Sequence, residues 1–196
     1  MLIDLHCHTV PLSQCSALQP EQLVDLARAR GLDGICLTEH DRTWDREALS
    51  DLRRRTGFLV LAGMELTTDM GHVLAFGLPT GNAAFAEGRA AFEAAQQAGG
   101  LLFLAHPARD GLLRVTADTV EIFESVEAVN GSDSRLQNLA ATGLARGFRL
   151  PGIGGSDAHT TAEAGRAATR FDGHITDEES LLAALRSGQY EAVALP

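Results

Sequence analysis

The feature that most constrains the fold is a repeated alternation of short apolar strands with amphipathic helices, joined through glycine-rich turns. The first unit is a predicted strand over residues 2–6, a helix from Pro20 that ends at Gly31, and a second strand over 35–38. Proline suits the first turn of a helix, and glycine suits the residue just past its end. Because consecutive strands joined through a helix are usually parallel, the pattern predicts an α/β protein.

The alternation continues along the rest of the chain. Further strands are predicted over 58–62, 72–76, 101–105, 126–129, 152–155 and 190–194, and further helices over 44–55, 83–98, 135–146 and 177–187, with Thr176 as the cap of the last helix and 112–120 ambiguous. A length of 196 residues suits one domain over residues 1–196. This arrangement favours a small (β/α) barrel, with an open doubly wound sheet as the alternative.

Composition narrows the classes of function. The formal net charge is −10, whereas surfaces that bind long duplex nucleic acid are usually basic, so that partner is disfavoured. Anionic small substrates stay compatible, because bound metal ions would make a site locally positive. All 16 basic residues are arginine, which excludes Schiff-base chemistry and a lysine-derived bridging ligand for metals.

The sequence also predicts a compartment. No apolar run approaches the roughly 18–20 residues of a membrane span, and no basic segment precedes the first strand, so we expect no signal peptide and no membrane partner. The three cysteines are odd in number and lack Cys-x-x-Cys spacing, which fits a reducing compartment. The predicted location is the cytoplasm.

Most of the histidines lie at the ends or starts of predicted strands, and only His174 lies elsewhere. His6 and His8 close the first strand, where residues two apart point to the same face. The other histidines and acidic residues at such positions are His40, Glu65, His72, His106, Asp157 and His159. Each has an ordinary structural explanation when taken alone, such as Asp157 capping a helix. Together, at the strand ends where α/β barrels form their active sites, they predict a shared metal centre.

The segments that carry these residues resemble, in order, the motifs of the PHP (polymerase and histidinol phosphatase) family. They are residues 4–8, 38–41, 63–65, 71–72, 105–107 and 155–159. The resemblance is specific from residue 2 to about 160 and extends more weakly to the end. It implies a distorted seven-stranded (β/α) barrel, two or three divalent metal ions (zinc, manganese or iron), and hydrolysis of phosphoester bonds.

The same resemblance implies three metal positions. The first would be held by His6, His8, Glu65 and Asp157, the second by His40 and His159, and the third by Glu65, His72 and His106, with Glu65 bridging. Two departures from the family pattern concern the second position. Glu39 replaces an aspartate, and residues 12–16 lack the carboxylate or imidazole that many members supply. We expect water to complete this position, with Cys15 as the alternative.

A metal-bridging hydroxide is the expected nucleophile, because water that bridges two divalent ions loses a proton near neutral pH. Glu65, Asp157 and His159 are the candidate catalytic residues, and His159 is also the candidate proton donor to the leaving group. Arg42 and Arg109, on strand-end loops, are the candidates for binding the substrate phosphate.

Asp4 and Asp41 are candidates for orienting ligand histidines through the second ring nitrogen. The predicted function is a phosphatase or phosphodiesterase that acts on a small phosphorylated metabolite, a nucleotide or a short oligonucleotide. One alternative is a non-catalytic metal-binding or polymerase-associated PHP module. The other is an amidohydrolase, although the bridging lysine usual in that class is missing here. The substrate and the oligomeric state stay open at this point.

Overall fold

A computed structural model describes residues 1–79, 85–109 and 115–196. The strands are β1 (Leu2–Cys7), β2 (Gly34–Leu37), β3 (Leu59–Ala62), β4 (Met64–Thr68), β5 (Gly71–Phe76), β6 (Leu101–Leu104), β7 (Ser125–Asn130), β8 (Ile153–Gly155), β9 (Ala167–Phe171) and β10 (Tyr190–Ala194). The helices are α1 (Pro20–Ala29), α2 (Arg46–Thr56), α3 (Gly88–Ala98), α4 (Ala117–Ile122), α5 (Arg135–Ala145) and α6 (Glu178–Ser187).

The strands form two five-stranded sheets, in the orders β10-β9-β1-β2-β3 and β4-β5-β6-β7-β8. In the first sheet β1, β2 and β3 are parallel, and β9 and β10 extend them in antiparallel pairing. In the second sheet β6, β7 and β8 are parallel, and β5 and β4 extend them in the same way. Over the described residues the two sheets do not join into one continuous barrel. The predicted α/β class is therefore confirmed, and the expected distortion of the barrel is a split into two sheets.

The two sheets meet at two seams. At one seam His40, which follows β2, bridges to Glu65 of β4, and the Glu65 N–H donates to the Glu39 carbonyl oxygen at 3.0 Å. At the other seam Cys7 of β1 bridges to Ala158, which follows β8. Both seams lie among the predicted site residues. Because the two sheets meet there, ligand candidates from both sheets lie close together.

A core cluster holds the sheets together below these seams. Leu5 and Leu61 of the first sheet pack with Leu74, Phe103 and Ile153 of the second, and all five are fully buried. Burial of each such side chain contributes about 1.5–3 kcal/mol. This buried apolar cluster thus holds in place the strands that carry the predicted site residues. Among the described residues, no helix is both long enough and apolar enough to cross a membrane.

The elements differ from the sequence predictions at several places. Strands β4 and β9 were not predicted, and α3 begins at Gly88 rather than at residue 83. Residues 83–84 and 112–114 of the predicted or ambiguous elements lie outside the described residues. The cap of α6 is Asp177 and not Thr176, because the Asp177 carboxylate accepts from the Ser180 N–H at 2.8 Å.

Candidate metal centre

The two histidines at the end of β1, His6 within the strand and His8 just after it, converge as the His-x-His spacing predicts. Their Nε2 atoms lie 3.1 Å apart, and both side chains are fully buried. The pairing of β1 with β2 is irregular near this end, because three steps along β1, from Asp4 to Cys7, match two steps along β2, from Ile35 to Leu37. Such an irregularity changes the direction of the strand. Glycine is required next to it, because a Cβ on Gly155 of β8 would lie 2.3 Å from the His6 Cβ.

Glu65 is the residue that the other candidates surround. Its Oε2 lies 3.1–3.3 Å from ring nitrogens of three histidines, and its Oε1 lies 2.8–3.0 Å from those of two more: His6, His8 and His40, then His72 and His106. Burial alone would raise the pKa of Glu65, but the surrounding imidazoles, above all that of His6, hold it well below its usual value. Glu65 is therefore a carboxylate at neutral pH.

The turn after β8 supplies the remaining two candidates. Asp157 has a left-handed backbone (φ 52°), a conformation that aspartate tolerates better than most residues. This turn aims Asp157 Oδ1 to within 3.4 Å of Nε2 of both His6 and His8. The Nδ1 of His159 lies 3.0 Å from the Asp157 carbonyl oxygen and donates a hydrogen bond to it. This leaves Nε2 of His159 available as a ligand atom.

Three groups of side chains place ligand atoms within 4.8 Å of one another: His6, His8, Glu65 and Asp157; His8, His40 and His159; and His40, Glu65 and His72. We call the first group the deep half, because all its members are buried. We call His40, His72 and His159 the shallow half, because their side chains are 31%, 37% and 26% exposed.

His106 and Cys15 lie outside these groups. The His106 Nε2 is 3.0 Å from Glu65 Oε1, so it borders the centre that the sequence resemblance assigns to it. Cys15 is exposed and joins none of the ligand groups found among the described residues. The alternative of a Cys15 thiol at the second position thus gains no support from the described residues, and completion by water stays a prediction.

The donor set fits divalent cations. Four carboxylates at the site are buried, whereas Arg109 is the one guanidinium that bonds to any of them among the described residues; the carboxylates are Glu39, Glu65, Glu127 and Asp157. Glu65 Oε2 is buried and accepts no well-directed hydrogen bond from the described residues. Buried, unpaired negative charge is costly. Imidazole nitrogens and carboxylate oxygens that converge in this way would be stabilised by bound metal ions.

The two arginines predicted to bind phosphate occupy different positions. Arg109 donates to Asp157 Oδ2 at 2.7 Å and to Asp133 Oδ1 at 2.8 Å, so it braces a ligand candidate directly. Its side chain remains 38% exposed at the edge of the site. Arg42 is exposed and pairs with no described residue. Only Arg109 therefore touches the residues of the centre.

The two aspartates expected to orient ligand histidines do not do so, and that prediction is wrong. Asp4 Oδ1 accepts from the backbone N–H groups of His6 and Ser156, and burial raises the pKa of Asp4 to about 6. Asp41 Oδ1 accepts from the Thr67 N–H at 2.9 Å. Both carboxylates therefore bond backbone N–H groups rather than imidazole rings.

Two other carboxylates, which the sequence reasoning missed, lie behind the β1 histidines. Glu127 Oε1 lies 3.0 Å from His6 Nδ1. His8 Nδ1 lies 3.3 Å from the Ser13 hydroxyl, which in turn donates to Glu39. A sequence signal existed for Glu127, because it is the single charge within the apolar run predicted as a strand over 126–129.

The sequence matches known families over most of its length. The PHP domain matches residues 4–137, and the PHP-associated PHP_C family matches residues 135–190. The first match alone spans more than half of the chain, so the chain belongs to the PHP family. The family predicted from the motifs is confirmed, and with it the class of a metal-dependent hydrolase is supported. No curated relative matches the chain.

Solved structures share the fold at low sequence identity. A two-domain protein from Bacteroides vulgatus, described as containing a predicted PHP-like metal-dependent phosphoesterase, superposes with a TM-score of 0.79 at 24% identity. The match covers 100% of this chain but 65% of that protein. A putative metal-dependent phosphoesterase from Bifidobacterium adolescentis has a TM-score of 0.64 at 18% identity, over 95% of this chain and 96% of its own.

An amidohydrolase from Chromobacterium violaceum, solved with bound sulfate and no metal, is similar as well. Its TM-score is 0.65 at 19% identity, and the match covers 83% of this chain and 89% of that one. At these identities the three likenesses concern the fold.

Proposed function

We propose that this protein hydrolyses a phosphoester bond in a small phosphorylated metabolite, a nucleotide or a short oligonucleotide. The observation that carries the proposal is the position of Glu65 between the deep and shallow halves, with each carboxylate oxygen facing a different set of imidazoles. A carboxylate placed in this way suits a bridge between divalent ions. Zinc, manganese and iron are the ions that the imidazole and carboxylate set accommodates.

In this proposal the deep half holds the first ion and the shallow half contributes to two more. The residues that would hold the ions are His6, His8, His40, Glu65, His72, His106, Asp157 and His159. His40 belongs to two of the three ligand groups, so it can hold an ion together with His159 or together with His72. Divalent ions bound here would supply activated water and positive charge to offset the phosphate.

The chain's own residues then position the substrate and stabilise charge. Glu65 and Asp157 keep their negative charge in a buried setting; burial alone would raise the pKa of Asp157, but His6 and His8 lower it strongly. Arg109 and Arg42 are proposed to hold the phosphate oxygens from the rim. His159 is partly exposed, and with Nδ1 at the Asp157 carbonyl oxygen its Nε2 has one of two proposed roles, as a ligand or as the proton donor to the leaving group, each of which excludes the other.

The test combines metal analysis with turnover on the same sample. We expect about two to three equivalents of zinc, manganese or iron in protein purified without chelator, and hydrolysis of an aryl phosphate but not of an aryl ester or amide. His72→Gln should lower activity, whereas His174→Gln, at an exposed histidine outside the centre, should not.

Three results would contradict parts of the proposal. Failure to bind any metal on reconstitution would overturn the metal centre. Metal without turnover on any phosphoester of a metabolite panel would favour a non-catalytic PHP module. Preferential hydrolysis of an amide would favour the amidohydrolase alternative.

A further inference from the structure

Glu127 is a fully buried carboxylate at the back of the deep half. It lies in β7, whose residues Ser125, Val126 and Ala128 are buried as well. It joins none of the ligand groups found among the described residues. Removing a carboxylate from water costs several kcal/mol, so a buried one persists only where its lone pairs are satisfied. The partners of its two oxygens therefore indicate its role.

One oxygen of Glu127 faces a ring nitrogen of His6. The distance from Oε1 to His6 Nδ1 is 3.0 Å, and both groups are fully buried. A carboxylate only accepts hydrogen bonds, so the His6 proton must sit on Nδ1. When the ring is neutral, this leaves the Nε2 lone pair free and facing the deep half, where His8 Nε2 lies 3.1 Å away.

The other oxygen of Glu127 binds two donors at the same level of the fold. Oε2 accepts from the His106 backbone N–H and from Asn130 Nδ2, each at 2.9 Å. His106 has a left-handed backbone (φ 27°), a strained conformation that this hydrogen bond holds in place. Asn130 Nδ2 also lies 3.3 Å from Asp157 Oδ2.

We propose that Glu127 is the positioning residue of the deep half. It sets the ring orientation and tautomer of His6, and it ties the ends of β1 and β6 together while Asn130 extends the link to Asp157. The inference rests on the metal centre proposed above. Carboxylates behind ligand histidines typically contribute 10–100-fold to metal affinity.

The direct test is Glu127→Gln, which preserves the size of the side chain. Its amide has a single oxygen, so it can accept from His6 or from the His106 and Asn130 donors, but not from both sets. We expect the affinity for the first zinc equivalent to fall about 10–100-fold, measured by competition with a fluorescent chelator. The matched control is Glu124→Gln, at a partly exposed glutamate that pairs with Arg149 at 3.1 Å and lies outside the site.

A second readout separates positioning from simple support of the fold. In zinc-loaded wild-type protein, nitrogen-15 NMR should show a protected, low-field Nδ1 proton on His6, and Glu127→Gln should shift or lose it. Thermal unfolding of the metal-free variants reports any loss of stability. Glu127→Asp keeps the charge but is one methylene shorter, so it should give an intermediate loss of affinity and serves if the glutamine variant does not fold.

The outcomes distinguish the two proposals. If wild-type protein binds no zinc, the metal centre itself is wrong. If wild-type protein binds zinc and a folded Glu127 variant keeps both its zinc affinity and the His6 proton signal, only the positioning role is overturned. Lower stability with unchanged zinc affinity also overturns it.

Discussion

Glu65 of the deep half also faces His40 and His72 of the shallow half, but the two halves differ in how they meet solvent. The deep half takes His6, His8 and Asp157 from the seam between β1 and the turn after β8, and Glu65 from the other seam, and its residues are buried. The histidines of the shallow half keep about a quarter to a third of their side-chain surface exposed. Solvent therefore contacts the shallow half directly and is largely excluded from the deep half.

The halves also differ in what lies behind their rings. In the deep half, Glu127 faces the second nitrogen of His6, and Ser13 with Glu39 faces that of His8. In the shallow half, His40 and His72 turn Nδ1 toward Glu65, and no described residue bonds their other nitrogen, whereas His159 Nδ1 lies 3.0 Å from the Asp157 carbonyl oxygen. The second ring nitrogens of the deep histidines thus have protein partners, whereas those of His40 and His72 have none among the described residues.

This difference suggests a division of labour. Preorganised ligands bind ions tightly because little ordering is left to do on binding. Adaptable, exposed ligands suit an ion that must change partners as a substrate arrives and a product leaves. We therefore expect a firmly held ion in the deep half and exchangeable ions in the shallow half.

The largest effect is expected for Glu65→Gln. The change leaves one neutral acceptor where two anionic oxygens face histidines of both halves. Both halves should therefore lose affinity for metal together. We expect metal affinity and phosphatase activity to fall by at least about 100-fold, the upper end of losses for residues that only support ligands. Metal analysis after gel filtration is the measurement. Wild-type metal content in this variant would contradict a bridging Glu65.

The next effect separates the halves. Stepwise chelator treatment should remove metal from wild-type protein in two phases, the first from the shallow half. His72→Gln should weaken binding in the fast phase alone, whereas Asp157→Asn should weaken it in the slow phase. We expect changes of about 10–100-fold in the affinity concerned. Identical chelator profiles for the two variants would show that the centre acts as one unit.

Local signals predicted much of this architecture. Alternating apolar runs and glycine turns predicted the parallel strands, and the strand-end rule then placed His6, His40 and Asp157 near one another. These predictions succeeded because strand periodicity and turn chemistry are encoded within a few residues. The missed strand β9 has the sequence Ala-Ala-Thr-Arg-Phe, which lacks the run of β-branched and aromatic residues that marks a strand.

Contacts between distant segments were beyond this kind of reasoning. His6 and Glu127 are 121 residues apart, and Ser13 and Glu39 are 26 apart. Nearness in sequence instead suggested Asp4, whose carboxylate bonds backbone N–H groups. The partners of the ligand rings depend on which strands become neighbours, and the split into two sheets that decides this has no local signature.

The third prediction concerns protonation of the metal-free protein. Burial, with nearby histidines, lowers the pKa of His40 from 6.5 to about 4. Burial alone would also lower that of His6, but Glu127, Asp157 and Glu65 raise it well above 6.5. Near pH 6 we therefore expect a neutral ring in the shallow His40 and a charged one in the deep His6.

The signs of the stability effects are opposite. The contribution of His40 is present above pH 6.5, its unfolded value, and is lost as the pH falls through about 4. That of His6 is present below 6.5 and is lost as the pH rises through its folded pKa. Proton NMR titration of the ring signals is the measurement. A His40 that titrates near 6.5 would contradict the assigned environment.

The smallest effect is expected for Glu163→Ala. The Glu163 carboxylate accepts from the backbone N–H groups of His159 and Thr160, each at 2.9 Å, and so braces the turn that carries one shallow ligand. Losing such exposed hydrogen bonds costs about 1 kcal/mol, or roughly five-fold in affinity. Chelator competition should show this loss in the fast phase alone, and Glu163→Gln, which keeps an acceptor, should show less. If the slow phase weakens equally, the turn after β8 couples Asp157 to His159, and the two halves are not separable.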